Sequence, residues 1–587
     1  MAEILHTELL QYYKRELGYL REQGANFARR YPKVASNLSL HGAESLDPHT
    51  ERLIESVAFL AARVHQDLDR EFPQVAASLL ENLCPSLIQP VPSMTVAEFQ
   101  LDPSQGKVTA GFRVPFHTPL YATAANGLQC RFRTAWETIL WPVALTGAVI
   151  EGGATLRLRF ECREDADFAE LEMESLRIHL QGDWMTTMPL YDFLVSDLVS
   201  AKIEPAGGVA RPLPLSCWRE VGYAEGENVL PLPPNAQPAY GLMQEYFSFP
   251  RKFHFFDLGN IRIQDAKCKR FDVALTFEQS ARGLTYVDED NFRLNCTPLV
   301  NLFPKTSEPV VIDHRHYEYQ LVADRQREAT TEVHSIVSVT ASDPNAERPV
   351  LVPSFAALGH IGSDDQSTFW SARREHSLRK DISGTDMFIS FVDRSNTLKA
   401  PSEPVIFANL LCTNRRLAEQ VPIGSRMVAE GISGTATVKC LYEPTSQRNP
   451  PLGSETLWRL VSLLTLNHQS LVDGSTGKDQ LREMLALFAS DSTRDREQIR
   501  GIKELRARSV TGRIGRDAWR GYCRGTEVTL GFEEEAFVGG SQLMLSAVLA
   551  RFFAMYTSIN SFVQLGVNRG DEVWKQWEPM SGRQLVL

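Results

Sequence analysis

The sequence has no long uninterrupted apolar run. No window of the 587-residue sequence contains the roughly 18 consecutive apolar residues that a membrane-spanning helix needs. The most apolar late stretch, Leu543 to Tyr556, is interrupted by Arg551 and is expected to form a buried helix. The N-terminus has no basic segment followed by an apolar core, so we expect no secretory signal. These absences predict a cytoplasmic protein.

Cysteine is sparse and unpaired in sequence. The nine cysteines are scattered along the chain, and no two of them form a CxxC pair. A chain of this length can bury a large core without covalent cross-links. We therefore expect free, buried thiols.

Positive charge is in deficit, since 61 basic residues face 72 acidic ones and the net charge is −11. This balance argues against a protein whose main affinity comes from nucleic-acid phosphates. One segment is an exception: Arg494 to Arg524 holds ten Lys or Arg, with Trp519 and Tyr522 between them. Nucleic-acid binding through 494–524 is thus an alternative function. A basic face against an acidic partner, or a solvated helix, explains the segment equally well.

The sequence contains only weak matches to metal-binding and phosphate-binding motifs. His314 and His316 would share one face of a strand, but no further ligands with metal spacing are near, which favours an exposed polar strand. Gly474 to Lys478 resembles part of a phosphate loop with the wrong glycine spacing, and is interpreted as a flexible turn before a helix at 481–488. The acidic turn Asp288 to Asn291 lacks the glycine of a calcium loop. We predict no catalytic residue, cofactor or metal site, although a carbohydrate-active enzyme in the β-rich middle remains an alternative.

Helical periodicity is strong at the N-terminus. Between Glu8 and Arg30, apolar residues recur at alternating spacings of three and four, which predicts a helix with a seam for packing against another helix. Gly24 occupies one seam position, where its missing side chain would permit the closest crossing. The predicted interface residues are Leu10, Tyr13, Leu17, Leu20, Gly24 and Phe27.

A second helix is predicted to start at Asp47-Pro48, an N-cap followed by a proline at the first helical position. Its apolar positions Leu53, Val57, Leu60, Val64 and Leu68 are also at helical spacing. Pro73 is predicted to open a third helix, and the proline-studded stretch from Pro85 to Ser93 an extended linker.

The period of the pattern changes from 3.6 to 2 after this linker, as in Leu156, Leu158 and Phe160. Helical patterns return at 457–464, 481–488, 499–505 and 541–556, with a strand at 528–532. We predict an α+β multidomain chain with an N-terminal helical unit, a β-rich middle and an α+β C-terminal region. The predicted units are 1–92 (helical), 93–345 and 346–450 (both β-rich), and 451–587 (α+β). Helical ends around a β-rich middle suggest an elongated subunit.

Several stretches together resemble one family, the TssF (VasA/ImpG) baseplate proteins of the type VI secretion system. The resemblance is spread over nearly the whole chain. The stretches include YYKRELGYLRE from Tyr12, DPHTERLIESVAFLAARV from Asp47, FSFPRKFHFFDL from Phe247, LLCTNRRLAEQ from Leu410, LARFFAMYTSINSFVQL from Leu549 and the tail WEPMSGRQLVL.

The resemblance implies a non-enzymatic wedge subunit of the baseplate, related to wedge proteins of contractile phage tails. It implies a cytoplasmic protein, docked at the inner face of the inner membrane once assembled, that contacts the membrane complex only indirectly. The implied partners are TssG, TssK, a second copy of the chain, TssE, the spike hub (VgrG) and neighbouring wedges, with no small-molecule substrate, nucleic acid or cofactor. The seam from Leu10 to Phe27 would then join a helical bundle between chains; packing against the 48–70 helix of the same chain is the alternative.

Overall fold

The computed structural model describes most of the chain. It describes residues 2–37, 47–102, 108–163, 167–233, 236–263, 268–281, 284, 286–313, 315–342, 349–355, 368–377, 379, 382–392, 401, 404–432, 434–452, 454–464, 474–490, 492–513, 522–570 and 572–582.

Helices occupy both ends of the chain and interrupt the middle twice. The α-helices of the described residues are α1 (Ala2–Arg30), α2 (Pro32–Asn37), α3 (Pro48–Leu83), α4 (Trp184–Val195), α5 (Pro238–Ser248), α6 (Ser454–Leu464), α7 (Gly474–Phe488), α8 (Thr493–Arg500) and α9 (Gln542–Tyr556).

The structure confirms the predicted start of the second helix, but α1 begins at Ala2, before the predicted Glu8, and two later boundaries are corrected. Asp47 caps α3 by accepting a hydrogen bond from the His49 backbone N–H at 3.1 Å. Pro73 lies inside α3 and opens no new helix, because a helix of 36 residues can lose the one backbone hydrogen bond that a proline removes. The stretch after α3 is no extended linker: Pro85–Leu87 forms a buried 3₁₀ turn, and Val91 pairs with Arg448 through two backbone hydrogen bonds.

Strands fill the middle, as the alternating pattern predicts. Those before α6 are β1 (Met94–Leu101), β2 (Phe112–Val114), β3 (Pro119–Thr123), β4 (Gln129–Thr134), β5 (Thr138–Leu140), β6 (Val143–Glu151), β7 (Thr155–Cys162), β8 (Ser175–Leu180), β9 (Leu198–Pro205), β10 (Arg211–Leu213), β11 (Trp218–Val221), β12 (Phe255–Gly259), β13 (Arg270–Phe277), β14 (Phe292–Leu294), β15 (Cys296–Val300), β16 (Phe303–Thr306), β17 (Val310–Val311), β18 (Glu318–Leu321), β19 (Glu332–Ser342), β20 (Val350–Val352), β21 (Phe369–His376), β22 (Thr385–Val392), β23 (Val405–Thr413), β24 (Arg426–Ala429) and β25 (Ala436–Cys440). Those after α8 are β26 (Ile502–Arg513), β27 (Tyr522–Phe532), β28 (Phe562–Arg569), β29 (Glu572–Gln576) and β30 (Met580–Ser581).

A closed barrel forms the centre of the β-rich middle, with strand order β1-β15-β4-β3-β24-β25. Its interior is filled by alternate side chains, among them Phe99, Leu120, Phe132 and Val438. β24 and β25 come from the predicted 346–450 unit and the other barrel strands from 93–345, so these two predicted units share one barrel.

The β-rich middle also contains the two-stranded sheet β2-β5 and four larger sheets. Their orders are β10-β9-β13-β7-β6, β11-β12-β8-β14, β16-β23-β19-β20 and β18-β22-β21. Helices α4 and α5, which the sequence analysis did not predict, pack with α6, α7 and α9 around the largest apolar core. The C-terminal end of α3 enters this core through Leu80.

The C-terminal region has the predicted α+β composition with one corrected boundary. The helix predicted at 499–505 ends at Arg500, and Ile502 already begins β26, in which Ile502 and Leu505 are buried while residues 506–509 are exposed. β27 and β28 are parallel, and α9 makes the crossover between them. As predicted, α9 is buried on nearly every side, with Ser541 as its N-cap.

Candidate protein-protein interface

Two polar contacts fix α1 against α3. Arg21 donates to the Glu51 carboxylate at 2.5 Å, and the buried Glu16 carboxylate lies 2.9 Å from His65 Nδ1. Between Glu51 and His65 the same face of α3 presents Ala58, which is fully buried. Small side chains on this face let the two helices approach closely, so only the inner face of α3 is occupied by α1.

The opposite face of α3 carries an apolar stripe that no described residue covers. Leu53, Val57, Leu60 and Val64 follow at spacings of four, three and four, which places them on one side of the helix. They are 67%, 46%, 61% and 57% exposed, respectively. We call these four residues the α3 stripe. Contiguous exposed apolar surface of this kind marks sites of protein interaction.

The six predicted interface residues on α1 are divided between exposed and half-buried positions. Leu10 and Phe27 are exposed at the two ends, whereas Tyr13, Leu17, Leu20 and Gly24 are half-buried. A Cβ built on Gly24 would meet no described atom within 4 Å, so α3 does not cross α1 closely at this glycine. The role of these residues in binding another chain stays a prediction.

The histidine motif forms a capped turn, which corrects the predicted strand. Asp313 accepts hydrogen bonds from the backbone N–H groups of Arg315 and His316, and these bonds hold the pKa of its carboxyl well below the usual range. His316 Nδ1 lies 2.7 Å from Asp313 Oδ2, while His314 lies outside the described residues. An aspartate favours such a turn over a strand because its side chain bonds the following backbone. Among the described residues, no three His, Cys, Asp or Glu side chains are grouped as metal ligands.

Two other sequence motifs have structural roles. Gly474 to Lys478 lies within the first turns of α7, which corrects the predicted flexible turn. The acidic turn caps a short 3₁₀ helix, where Asp288 accepts from the Asp290 backbone and the Asn291 side chain accepts from the Asp288 backbone. No helix of the described part is long and apolar enough to cross a membrane.

The basic segment folds as α8, β26 and the start of β27, not as one solvated helix. Trp519 lies outside the described residues, and Tyr522 is exposed. Several of its cations are already paired with carboxylates, which weakens a phosphate-binding face. These pairs are Arg500 with Glu497, Lys503 with Glu533, Arg506 with Glu504 and Arg508 with Glu527.

A large α+β body with an apolar stripe left open on a terminal helical pair is the form of a subunit of a larger assembly. Residues 5–584 match the family model for type VI secretion system TssF, so the chain belongs to the TssF family, as the sequence predicts. It is 31% identical to the type VI secretion system component TssF1 of Pseudomonas aeruginosa PAO1 in an alignment 616 residues long, which covers 98% of this chain and 99% of that protein.

Two solved structures have a similar fold. A chain of the type VI secretion system TssK-TssF-TssG baseplate subcomplex, determined by cryo-electron microscopy, superposes with a TM-score of 0.73 at 22% identity, covering 91% of this chain and all of that one. A chain of the type VI secretion system baseplate complex gives 0.55 at 20% identity, covering 98% and 100%.

Proposed function

We propose that this protein is a non-enzymatic structural subunit of a type VI secretion baseplate wedge. It acts in the cytoplasm, where it assembles with TssG and TssK to build the platform for the contractile sheath and spike. A second copy of the chain, TssE, the spike hub (VgrG) and neighbouring wedges are its further partners, and the assembled wedge docks at the inner face of the inner membrane. This architecture corresponds to the wedge proteins of contractile phage baseplates.

Membership of the TssF family supports this proposal, as does the likeness in fold to chains of two baseplate assemblies, one of which contains TssK and TssG. The α3 stripe carries the argument from the chain itself. It belongs to a helix that α1 already covers on its other face, and none of the described residues covers it, so we expect another chain to bury it. Leu10 and Phe27 of α1 are further exposed apolar side chains on the same helical pair.

The size of the effect follows from the exposed fractions. Full burial of a leucine contributes about 1.5 to 3 kcal/mol, and roughly two thirds of Leu53 and Leu60 remains to be buried. Two such residues therefore contribute about 2 to 4 kcal/mol to association. That corresponds to a factor of roughly 30 to 1,000 in affinity.

The test is co-expression with the TssG and TssK proteins of the same secretion system. The double variant Leu53→Asp/Leu60→Asp should fold, because both side chains point to solvent, but should no longer co-purify with TssG. Leu215→Asp is the matched control, since Leu215 is 55% exposed and lies outside the helical pair. Retention of TssG by the double variant at the wild-type level would refute the interface.

A further inference from the structure

A cavity of about 280 Å³ opens between α4, the segment 534–540 and the strands β28 and β29. Its apolar walls include aromatic and thioether side chains, and polar side chains of Gln279, Ser280 and Gln542 also line it. The aromatic and thioether residues are Trp184, Met185, Met188, Phe193, Phe537 and Trp574. Pockets for drug-sized ligands measure about 300 to 1,000 Å³, so this one suits a single extended side chain better than a cofactor. It includes no residue of α1 or α3.

Two carboxylates, those of Glu534 and Asp192, line this cavity. Asp192 of α4 is partly buried, and its Oδ1 accepts a hydrogen bond from Ser541 Oγ at 2.5 Å. Burial raises the pKa of this carboxyl to about 7, although the Ser541 hydrogen bond opposes the shift. The charge of Arg569 and a hydrogen bond from the Leu543 backbone N–H oppose it as well, but desolvation outweighs all three.

The cation that lines the same cavity is already engaged. Arg569 of β28 pairs with Glu534 at 2.5 Å, and its guanidinium lies 4.9 Å from the centre of the Trp574 ring. Within the described part of the chain, no lysine or arginine forms an ion pair with Asp192. The charge of Arg569 acts on Asp192 without an ion pair and does not balance its burial, so the cavity retains a carboxylate that forms no ion pair with the described residues.

The shape of the site selects among cations. A guanidinium prefers two parallel acceptors, whereas Asp192 already shares one oxygen with Ser541. An ammonium group is a compact point charge on a flexible aliphatic stem. Methionine walls adapt readily to such a stem.

We propose that this cavity binds a lysine side chain of a partner protein, with the ammonium group on Asp192 and the methylene stem between Met185, Met188 and Val538. The site goes beyond the proposed wedge interface, because it is formed by the C-terminal region and α4. It gives the assembly a second, charge-selective contact.

The test is saturation-transfer NMR on the purified full chain at pH 8, where Asp192 is mostly ionised. The probe is Nα-acetyl-lysine methylamide, and the matched probe is Nα-acetyl-norleucine methylamide, which keeps the stem and lacks the ammonium group. We expect the lysine probe to bind at least about tenfold more tightly, the usual effect of a hydrogen bond to a charged group. Asp192→Asn should abolish this preference, because asparagine keeps an acceptor for Ser541 and removes the charge.

Asp197→Asn is the control variant, since Asp197 is an exposed aspartate outside the cavity and its replacement should leave the preference intact. Equal binding of the two probes, no saturation transfer from the lysine probe, or an unchanged preference in Asp192→Asn would each overturn the proposal. Hexylammonium is a third probe. If it binds more than tenfold more tightly than the lysine probe, the ligand is a free amine, and the assignment to a partner's lysine is overturned.

Discussion

The ion pair between Glu245 and Lys252 allows a quantitative prediction, because both side chains are almost completely buried. Glu245 of α5 also accepts hydrogen bonds from the backbone N–H groups of Val229 and Leu230, at 2.6 and 2.7 Å. The pair thus holds the 229–230 segment to the core. Burial lowers the pKa of Lys252, and the attraction of Glu245 opposes this shift.

Lys252→Met leaves the Glu245 charge buried without its cation, a change that typically costs about 3 to 5 kcal/mol. The double variant Glu245→Gln/Lys252→Met removes both charges and retains a side-chain oxygen that can accept from both backbone N–H groups, so it should cost less than the single change. Hydrogen exchange of the Val229 and Leu230 amides measures this directly. We expect Lys252→Met to accelerate exchange by at least ~100-fold, which is the equivalent of about 3 kcal/mol.

Lys503→Met is the matched control, because the pair of Lys503 with Glu533 is exposed and such pairs contribute about 0 to 1 kcal/mol. Its effect on the same amides should be negligible. Exchange in Lys252→Met within threefold of wild type would refute the reasoning. So would a double variant that exchanges faster than the single one.

Three further predictions concern single residues, each measured by thermal or urea unfolding. Gly384→Ala should destabilise the fold by about 1 to 3 kcal/mol, because φ is +129° and the new Cβ would overlap the Arg415 guanidinium. Gly127→Ala is the control: its φ is +81° but its Cβ would enter open space, so it should lose only the smaller backbone contribution to stability. Ser541→Ala should cost about 1 kcal/mol through the lost N-cap of α9, and an unchanged midpoint would contradict that role. Asp192→Asn should gain stability relative to wild type as pH rises from about 4 to about 7, because in wild type the folded state keeps a proton on Asp192 that the unfolded state has released. The gain is at most about 1.4 kcal/mol per pH unit. A difference in stability that stays constant across this window would contradict the prediction.

Periodicity in the sequence predicts the elements that have one wet and one dry face. α1, α3 and strands such as β7 are of this kind, and the sequence predicts them, apart from the helix boundary wrongly predicted at Pro73 within α3. α4 and α5 were missed because they have apolar side chains on nearly every side and so no amphipathic period; α4 even contains Pro189. The helix predicted at 499–505 failed for a related reason, since short apolar patterns fit a helix or a strand equally well.

Local sequence patterns could not predict that six strands close into a barrel. β1 pairs with β25, more than 300 residues later, through register partners such as Phe99 and Val438. Such pairings depend on the packing of the whole chain and not on neighbouring residues.

The candidate interface was predicted only in part. The spacing of Leu53, Val57, Leu60 and Val64 predicted a helix, but it could not reveal that α1 packs on the alanine side and leaves the leucine and valine side open. The seam on α1 is a less direct target for mutation than the α3 stripe. Leu17 and Leu20 are half-buried, so their replacement by aspartate would disturb the fold and the interface together.

The central claim is that another chain buries the α3 stripe in the assembly. Hydroxyl-radical footprinting of the chain alone and of the chain co-purified with TssG measures this directly, because it reports the accessibility of individual side chains. Oxidation of Leu53, Leu60 and Val64 should fall several-fold in the complex, while oxidation of Val209, which is 84% exposed and lies far from the helical pair in sequence, should stay constant. A stable complex in which the stripe is oxidised as fast as in the free chain would contradict the claim.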